Sequence, residues 1–509
     1  MMAHQSLEIR MLRSFPAVLA VVLAWAAPLA TASDDPLAGL DQAIESAREQ
    51  WHAPGLAVAI VKNDQVVYAR GFGTKHAGRN DPVDAHTVFT LASTSKAFTA
   101  MALGLLVEDG KLKWDDPVIK HIPEFRVADP YVTREVTIRD LLVHRTGIET
   151  MDILWMRGFD TRTSIEHMQY AKQATSLRST WTYNNSMYVV AAEVVARVSG
   201  TTFQEFVSRR IFAPLGMSDS LFTAPELAKR PNVTGAHLIE HGVVRETEPY
   251  LSPDPLGAAG VQSSVADMAK WLRMLLNKGT FEGKTVVKSD TIAEVLKPQM
   301  LLASIGYPAA RQAKPNFYAY GLGWFLQDYK GRLVAMHTGS LYGANAIAAL
   351  VPEEKLGLVM FVNASTVDYR HAFMYDVIDR FLNSRDKDWN ADLFKLYSGL
   401  QAEEETRNAA AIRARPQKTR PSLPLADYAG KYFDPLVGET QILLGSNGKL
   451  TLAMQPNATF ELAHWSYDSF EARDTRAPEE DHFRITFARG ADGRITGYET
   501  EGGRLYRRR

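Results

Sequence analysis

The sequence predicts an α/β (α+β) fold: an antiparallel sheet flanked by helices, with a helical subdomain inserted into it and a small all-β, barrel-like domain behind it. Three observations carry this. Strand-like runs stand near residue 55 and again between residues 322 and 364, so the two ends of one domain meet in one sheet. Helical text dominates from about Ser93 to Leu276. After a charged, Ala-rich and then Pro-rich stretch, apolar residues recur at every second position towards the C-terminus.

The elements follow in order. Arg10 and Arg13 precede "SFPAVLAVVLAWAAPLATA", which ends in Ala30-Thr31-Ala32. A charged start, a short apolar run and a small-x-small end read as a signal peptide over residues 1–32. Pro16, Pro28 and the barely sufficient length argue against a membrane anchor. The expected mature protein begins near Ser33 and is periplasmic or secreted. "GLAVAIVK", Asn63-Asp64 and "QVVYARGFG" form a predicted hairpin around a two-residue polar turn. "LGWFLQDY", "RLVAMHTG", "ANAIAALV" and "LGLVMFVNA" are late strands separated by short turns. These limits give a large domain over 33–384, a helical and Pro-rich linker over 385–422, and a β domain over 423–509 with an aromatic cluster of Phe460, Trp465, Tyr467 and Phe470.

Composition narrows function by exclusion. Among 509 residues the net charge is −1, so no basic excess points to nucleic acid. There are no cysteines, which removes disulfides, thiol catalysis and thiolate metal sites. "HLIEH" (His237 to His241) matches a zinc pattern but alternates like a surface hairpin, so no metal and no cofactor are expected. No nucleic acid and no stable membrane span in the mature protein are expected; homo-oligomerisation is left open.

The chemistry concentrates in "TLASTSKAFTAMAL" (Thr90 to Leu103). Residues three apart on a helix share a face, so Ser93 and Lys96 meet among apolar neighbours. Desolvation lowers a lysine pKa and lets it take a proton from the hydroxyl. S-x-x-K alone is weak: Ser384/Lys387 and Ser446/Lys449 repeat it in a charged stretch and in an Asn-Gly turn. Two further elements add weight. Tyr183-x-Asn185 precedes an apolar helix, and His337-Thr338-Gly339-Ser340 ends a predicted strand. Gly339 is expected to let a substrate backbone lie close to the strand. The Ser340 N–H would join that of Ser93 around an oxyanion.

With these motifs in place the chain resembles the serine β-lactamase-like superfamily: class C β-lactamases, D-Ala-D-Ala carboxypeptidases, D-aminopeptidases and related esterases. "LLVHRTGI", "FAPLGM" and "GAAGVQSSVADMAKWLRMLLNKG" add to the likeness. "LADYAGKY" and "LAHWSYDSFEA" resemble the lipocalin-like domain often fused behind such enzymes. The resemblance implies a β-lactamase/transpeptidase-like sheet and a small-molecule or short-peptide substrate. It also implies an acyl-enzyme on Ser93, with Lys96 and Tyr183 catalytic and Asn185, His337, Thr338, Gly339 and Ser340 binding substrate. His337 stands where β-lactamases usually carry lysine, a fixed cation for a substrate carboxylate. That departure favours an amide- or ester-cleaving peptidase or esterase. The alternatives are a β-lactamase proper and a penicillin-binding sensor that acylates without turnover.

Overall fold

The computed structural model describes residues 35–222, 224–240, 242–248, 257–304, 306–365, 368–454, 458–475, 482–500 and 503–507. The chain divides into Met1–Ala38 and Gly39–Arg509. Of the first unit only residues 35–38 are described, in a turn closed by Ala38 N–H on the Asp35 carbonyl (3.0 Å). The expected signal peptide lies outside the described residues. Among the described residues no helix is long and apolar enough to cross a membrane.

The second unit opens with helix α1 (Leu40–Gln50) and the expected hairpin, β1 (Gly55–Lys62) and β2 (Gln65–Gly73). Asn63 and Asp64 both take positive φ (49° and 63°), the backbone twist that a two-residue hairpin turn needs. Six more strands complete the sheet: β3 (Met300–Leu301), β4 (Tyr318–Tyr320), β5 (Phe325–Tyr329), β6 (Arg332–Leu341), β7 (Ala344–Val351) and β8 (Leu356–Val362). Their order is β2-β1-β8-β7-β6-β5-β4-β3, antiparallel throughout. Leu56 faces Val362, so the early hairpin is joined to the late strands, as expected from strand text at both ends.

Helix α2 (Lys96–Glu108) is buried from Lys96 through Leu106. A helix apolar all round belongs inside a domain, and this one packs against the helices Asn185–Ser199 and Ser289–Val295 within the main hydrophobic core. The insertion carries α3 (Asp152–Met156), α4 (Thr161–His167) and α5 (Asn185–Ser199), the last stopped by Gly200 at φ 74°. Helices α6 (Val265–Leu276) and α7 (Tyr369–Phe381) pack on the sheet.

The 385–422 stretch is less of a free linker than its composition suggests. Helix α8 (Trp389–Ala414) fills most of it. Its start is anchored: Trp389 is buried, stacks on Tyr375 (4.4 Å between ring centroids) and donates to Asp379 (2.9 Å).

The C-terminal residues form a closed eight-stranded barrel of neighbour-to-neighbour strands, β9 (Gly430–Asp434) to β16 (Gly503–Arg507), which pair with each other to close it. Its interior is filled by Tyr428, Tyr432, Phe460, Phe470, Phe487 and Tyr498. The aromatic cluster read from sequence is therefore split. Phe460 and Phe470 lie inside, Tyr467 is exposed, and Trp465 sits beneath the guanidinium of Arg484 (4.0 Å). Strand alternation puts 460 and 470 inward, while 465 falls on the other parity and 467 in a turn.

The turn between Asp434 and Gly438 presses on the inserted helices. Arg157 Nη1 donates to the Val437 carbonyl (2.6 Å) and His167 Nδ1 to the Leu436 carbonyl (2.7 Å). Leu436 packs against the hydrolase core and Ile153 of α3 against the barrel core. Loss of a buried charged donor costs about 1–3 kcal/mol. Arg157→Ala is expected to lower unfolding stability by that amount and to speed hydrogen exchange across Asp152–Gly158. Unchanged exchange there would mean that the turn merely abuts α3.

Candidate active site

Ser93 lies in a 3-10 turn, Ala92–Ser95, that leads into α2. Ala92 is held at φ 47°, a conformation that costs a non-glycine residue on the order of 1 kcal/mol. The kink leaves Ser93 half-buried beside the cavity while Lys96 points inwards with none of its surface exposed. Lys96 Nζ donates to Ser93 Oγ (3.1 Å), Asn185 Oδ1 (2.8 Å) and the Ala258 carbonyl (3.0 Å). Burial pushes the Lys96 pKa down to about 7, and the charge of Asp152 pulls it partly back. Nζ also sits 4.8 Å from the Tyr183 ring centroid. Burial holds the Tyr183 pKa well above the ordinary value, and both Tyr183 and Ser93 line the same cavity.

The loop that places Tyr183 and Asn185 is tied down by neighbours. Asn184 N–H donates to His144 Nδ1 (3.1 Å), and its side-chain amide donates to the Glu149 carbonyl (2.9 Å). His144 is therefore a neutral ring with its proton on Nε2, and burial keeps it uncharged. It packs on Tyr183 at 4.4 Å between centroids. Buried Asp140, bonded to Arg145 (2.6 Å) and Arg178 (2.8 Å), fixes the segment around His144.

Strand β6 forms the opposite wall. Its pairing with β5 ends at Met336 opposite Phe325, whereas its pairing with β7 runs on to Leu341. Residues 337–341 thus keep one open edge. The Gly339 carbonyl accepts from Arg370 Nη1 (2.5 Å), which also reaches Ser340 Oγ and Asn345 Oδ1 (both 2.8 Å) on the β7 side. Successive residues of a strand point their amides to opposite sides, so the Ser340 N–H faces the open edge. Ser93, Tyr183, Asn185, Thr338 and Ser340 all line one cavity of about 740 Å³.

Two expected substrate-binding residues are placed differently. His337 is buried and does not line the cavity. Its Nδ1 donates to the Thr338 carbonyl (2.7 Å), so Nε2 accepts from the Tyr320 hydroxyl (2.9 Å). Burial, then the charge of Lys96, pushes its pKa down to about 3, so it is a neutral strut behind the wall. Gly339 gives its room to the protein itself: a Cβ there would stand 2.1 Å from the Leu91 carbonyl and 3.0 Å from the Ala92 Cβ. The strand needs glycine so that the turn bearing Ser93 can dock on it.

The other S-x-x-K pairs are inert in their settings. Ser384 Oγ accepts from Lys330 (3.1 Å), and Lys449 pairs with Glu461 (2.8 Å). His237 is also occupied: Nδ1 donates to the Asn363 carbonyl (2.7 Å) and Nε2 accepts from Ala77 N–H (3.0 Å). His241 lies outside the described residues, among which no cluster suited to a metal occurs. Sequence reading missed Asp152, Trp155, Tyr307 and Phe325 in the cavity wall, and Tyr320 and Arg370 behind it. None belongs to a motif; the one visible signal was the aromatic density of "FYAYGLGWF".

An antiparallel sheet with a serine in the turn that leads into a buried helix headed by a desolvated lysine defines a class of serine hydrolases. The chain belongs to the beta-lactamase family, whose model matches residues 40–379. A domain of unknown function, DUF3471, matches residues 414–504. The unguisins hydrolase ungD of Aspergillus violaceofuscus is 29% identical over 483 residues, covering 86% of this chain and 83% of that protein. Penicillin-binding protein 4 of Amycolatopsis lactamdurans is 29% identical over 63% of this chain and 83% of its own length. The octameric penicillin-binding protein homologue from Pyrococcus abyssi shares the fold at a TM-score of 0.60 and 20% identity, covering 92% of this chain and 99% of that one.

Gly339→Ala is expected to push β6 off the Leu91–Ala92 turn. Activity should fall by on the order of 100-fold or more, since small misplacements of reacting groups carry costs of that size. Thermal unfolding should show a lower midpoint. A variant with wild-type activity would mean that the turn and the strand move independently.

Proposed function

We propose that the protein cleaves an amide or ester bond through an acyl-enzyme on Ser93, as a peptidase or esterase. The observation that carries this is the fully buried Lys96 amine, 3.1 Å from Ser93 Oγ, with a pKa near neutrality. A deprotonated Lys96 takes the hydroxyl proton as Ser93 Oγ bonds to the substrate carbonyl carbon. The Ser93 and Ser340 N–H groups face the oxygen that gains charge. The proton passes from Lys96 through the Tyr183 phenol to the leaving nitrogen or oxygen as that bond breaks. Water then attacks the acyl-serine by the reverse proton path. Tyr183, with its pKa raised, serves as a neutral donor, and Asn185 holds Lys96 in place by accepting its hydrogen bond.

Turnover is favoured over a sensor that stops at the acyl-enzyme by the complete Ser93–Lys96–Tyr183 set and by a relative whose name is that of a hydrolase. The basic n-region and apolar run before Ser33 support export to the periplasm or medium. The octameric relative supports assembly into homo-oligomers.

Ser93→Ala should cut hydrolysis of a 4-nitrophenyl ester by about 10³-fold or more and abolish labelling by a fluorophosphonate. A sensor would instead give one burst and stop. Because Lys96 must lose its proton to act, kcat/KM should rise with pH through about 7 and level off above it. A profile flat from pH 5 to 9 would remove Lys96 as the base. N-terminal sequencing of protein from its native host should begin near Ser33; an intact Met1 or Met11 would contradict export.

A further inference from the structure

We infer that Asp152 makes the site selective for substrates that carry a free ammonium group, and no carboxylate, near the bond that is cut. This names a substrate class within the reading above and rests on it only for where the reacting carbonyl lies. Among the described residues that line the cavity, Asp152 is the one charged side chain. It is half-buried and accepts from Asn185 Nδ2 (3.1 and 3.3 Å to its two oxygens). Asn185 accepts from Lys96, which donates to Ser93. The carboxylate is thus three hydrogen bonds from the nucleophile. A carboxylate offers about four acceptor positions, and the two contacts from one amide leave room for a substrate donor.

The surroundings suit a cation. Trp155, Trp181, Phe222, Tyr307 and Phe325 line the same cavity, and aromatic faces attract ammonium groups. Among the described residues no cation lines it to meet a substrate anion. His337 is neutral and behind the wall. Arg370 is buried, bonded to Gly339, Ser340 and Asn345 and paired with Asp368 (3.3 Å). Lys96 is committed to three acceptors, and its charge is lost in the state that acts as a base. An anionic substrate therefore meets one uncompensated carboxylate, whereas an ammonium finds an acceptor and aromatic walls.

Calorimetry on the full-length Ser93→Ala protein tests this without turnover. The probes are phenylalanine 4-nitroanilide, in D and L forms, with a free, an N-acetylated or an N-succinylated amine. The free-amine compound of the preferred hand should bind at least tenfold more tightly than its acetyl counterpart, and the succinyl compound more weakly than either. Adding Asp152→Asn, a near-isosteric change, should bring the three affinities within about twofold. Equal affinities in the Ser93→Ala protein, including no detectable binding of any of them, would overturn the inference, as would a preference that survives Asp152→Asn. Failure of the acyl-enzyme reading shows elsewhere, as retained ester hydrolysis by Ser93→Ala.

Discussion

The burial of one amine governs this molecule's active centre. A lysine removed from water binds its proton weakly, and it stays put only if every hydrogen it carries finds an acceptor. Lys96 satisfies both conditions with Ser93, Asn185 and the Ala258 carbonyl. Each acceptor comes from a different part of the chain: the turn before α2, the start of α5 and the loop before α6. Holding that amine therefore assembles the site. The same desolvation lifts the proton affinity of Tyr183 and strips His144 and His337 of charge. One buried cluster thus holds an amine with its pKa pushed down to about 7, a phenol with its pKa raised and two neutral rings.

Much of this was legible in the sequence because spacing and periodicity dictate it. Ser93 and Lys96 meet because residues three apart stack on one face of a helical turn, here the 3-10 turn that leads into α2. The Asn63-Asp64 hairpin forms because both residues tolerate positive φ. The late strands keep their limits to within three residues because short turns punctuate them. Ser384 and Ser446 were separable from Ser93 by the polarity of their neighbours alone.

What escaped the sequence depends on tertiary contacts that no local pattern records. His337 occupies a motif position, yet a strand residue reveals only its parity and not what stands behind the sheet; here that is Tyr320. Gly339 signalled close approach correctly, but the sequence cannot say whether the approaching backbone is a ligand's or Leu91's. Asp152 sits on a five-residue helix braced by a turn from the barrel more than 270 residues later, and its neighbour Asn185 arrives from another helix. The barrel's aromatics divided between inside and outside at a turn, where strict alternation no longer holds.

The pairing of Leu56 with Val362 also sets an order of events for the newly made chain. These partners lie roughly 300 residues apart, so closing that loop is entropically costly and topologically slow. Until the last strand emerges, the early hairpin has a bare edge, and the core cluster that α2 belongs to is incomplete. Helix α2, buried from Lys96 through Leu106, is thus apolar surface that needs protection from aggregation during synthesis. The barrel's ladder joins mostly consecutive strands, so it condenses by local steps, and only the pairing of its first and last strands spans its length.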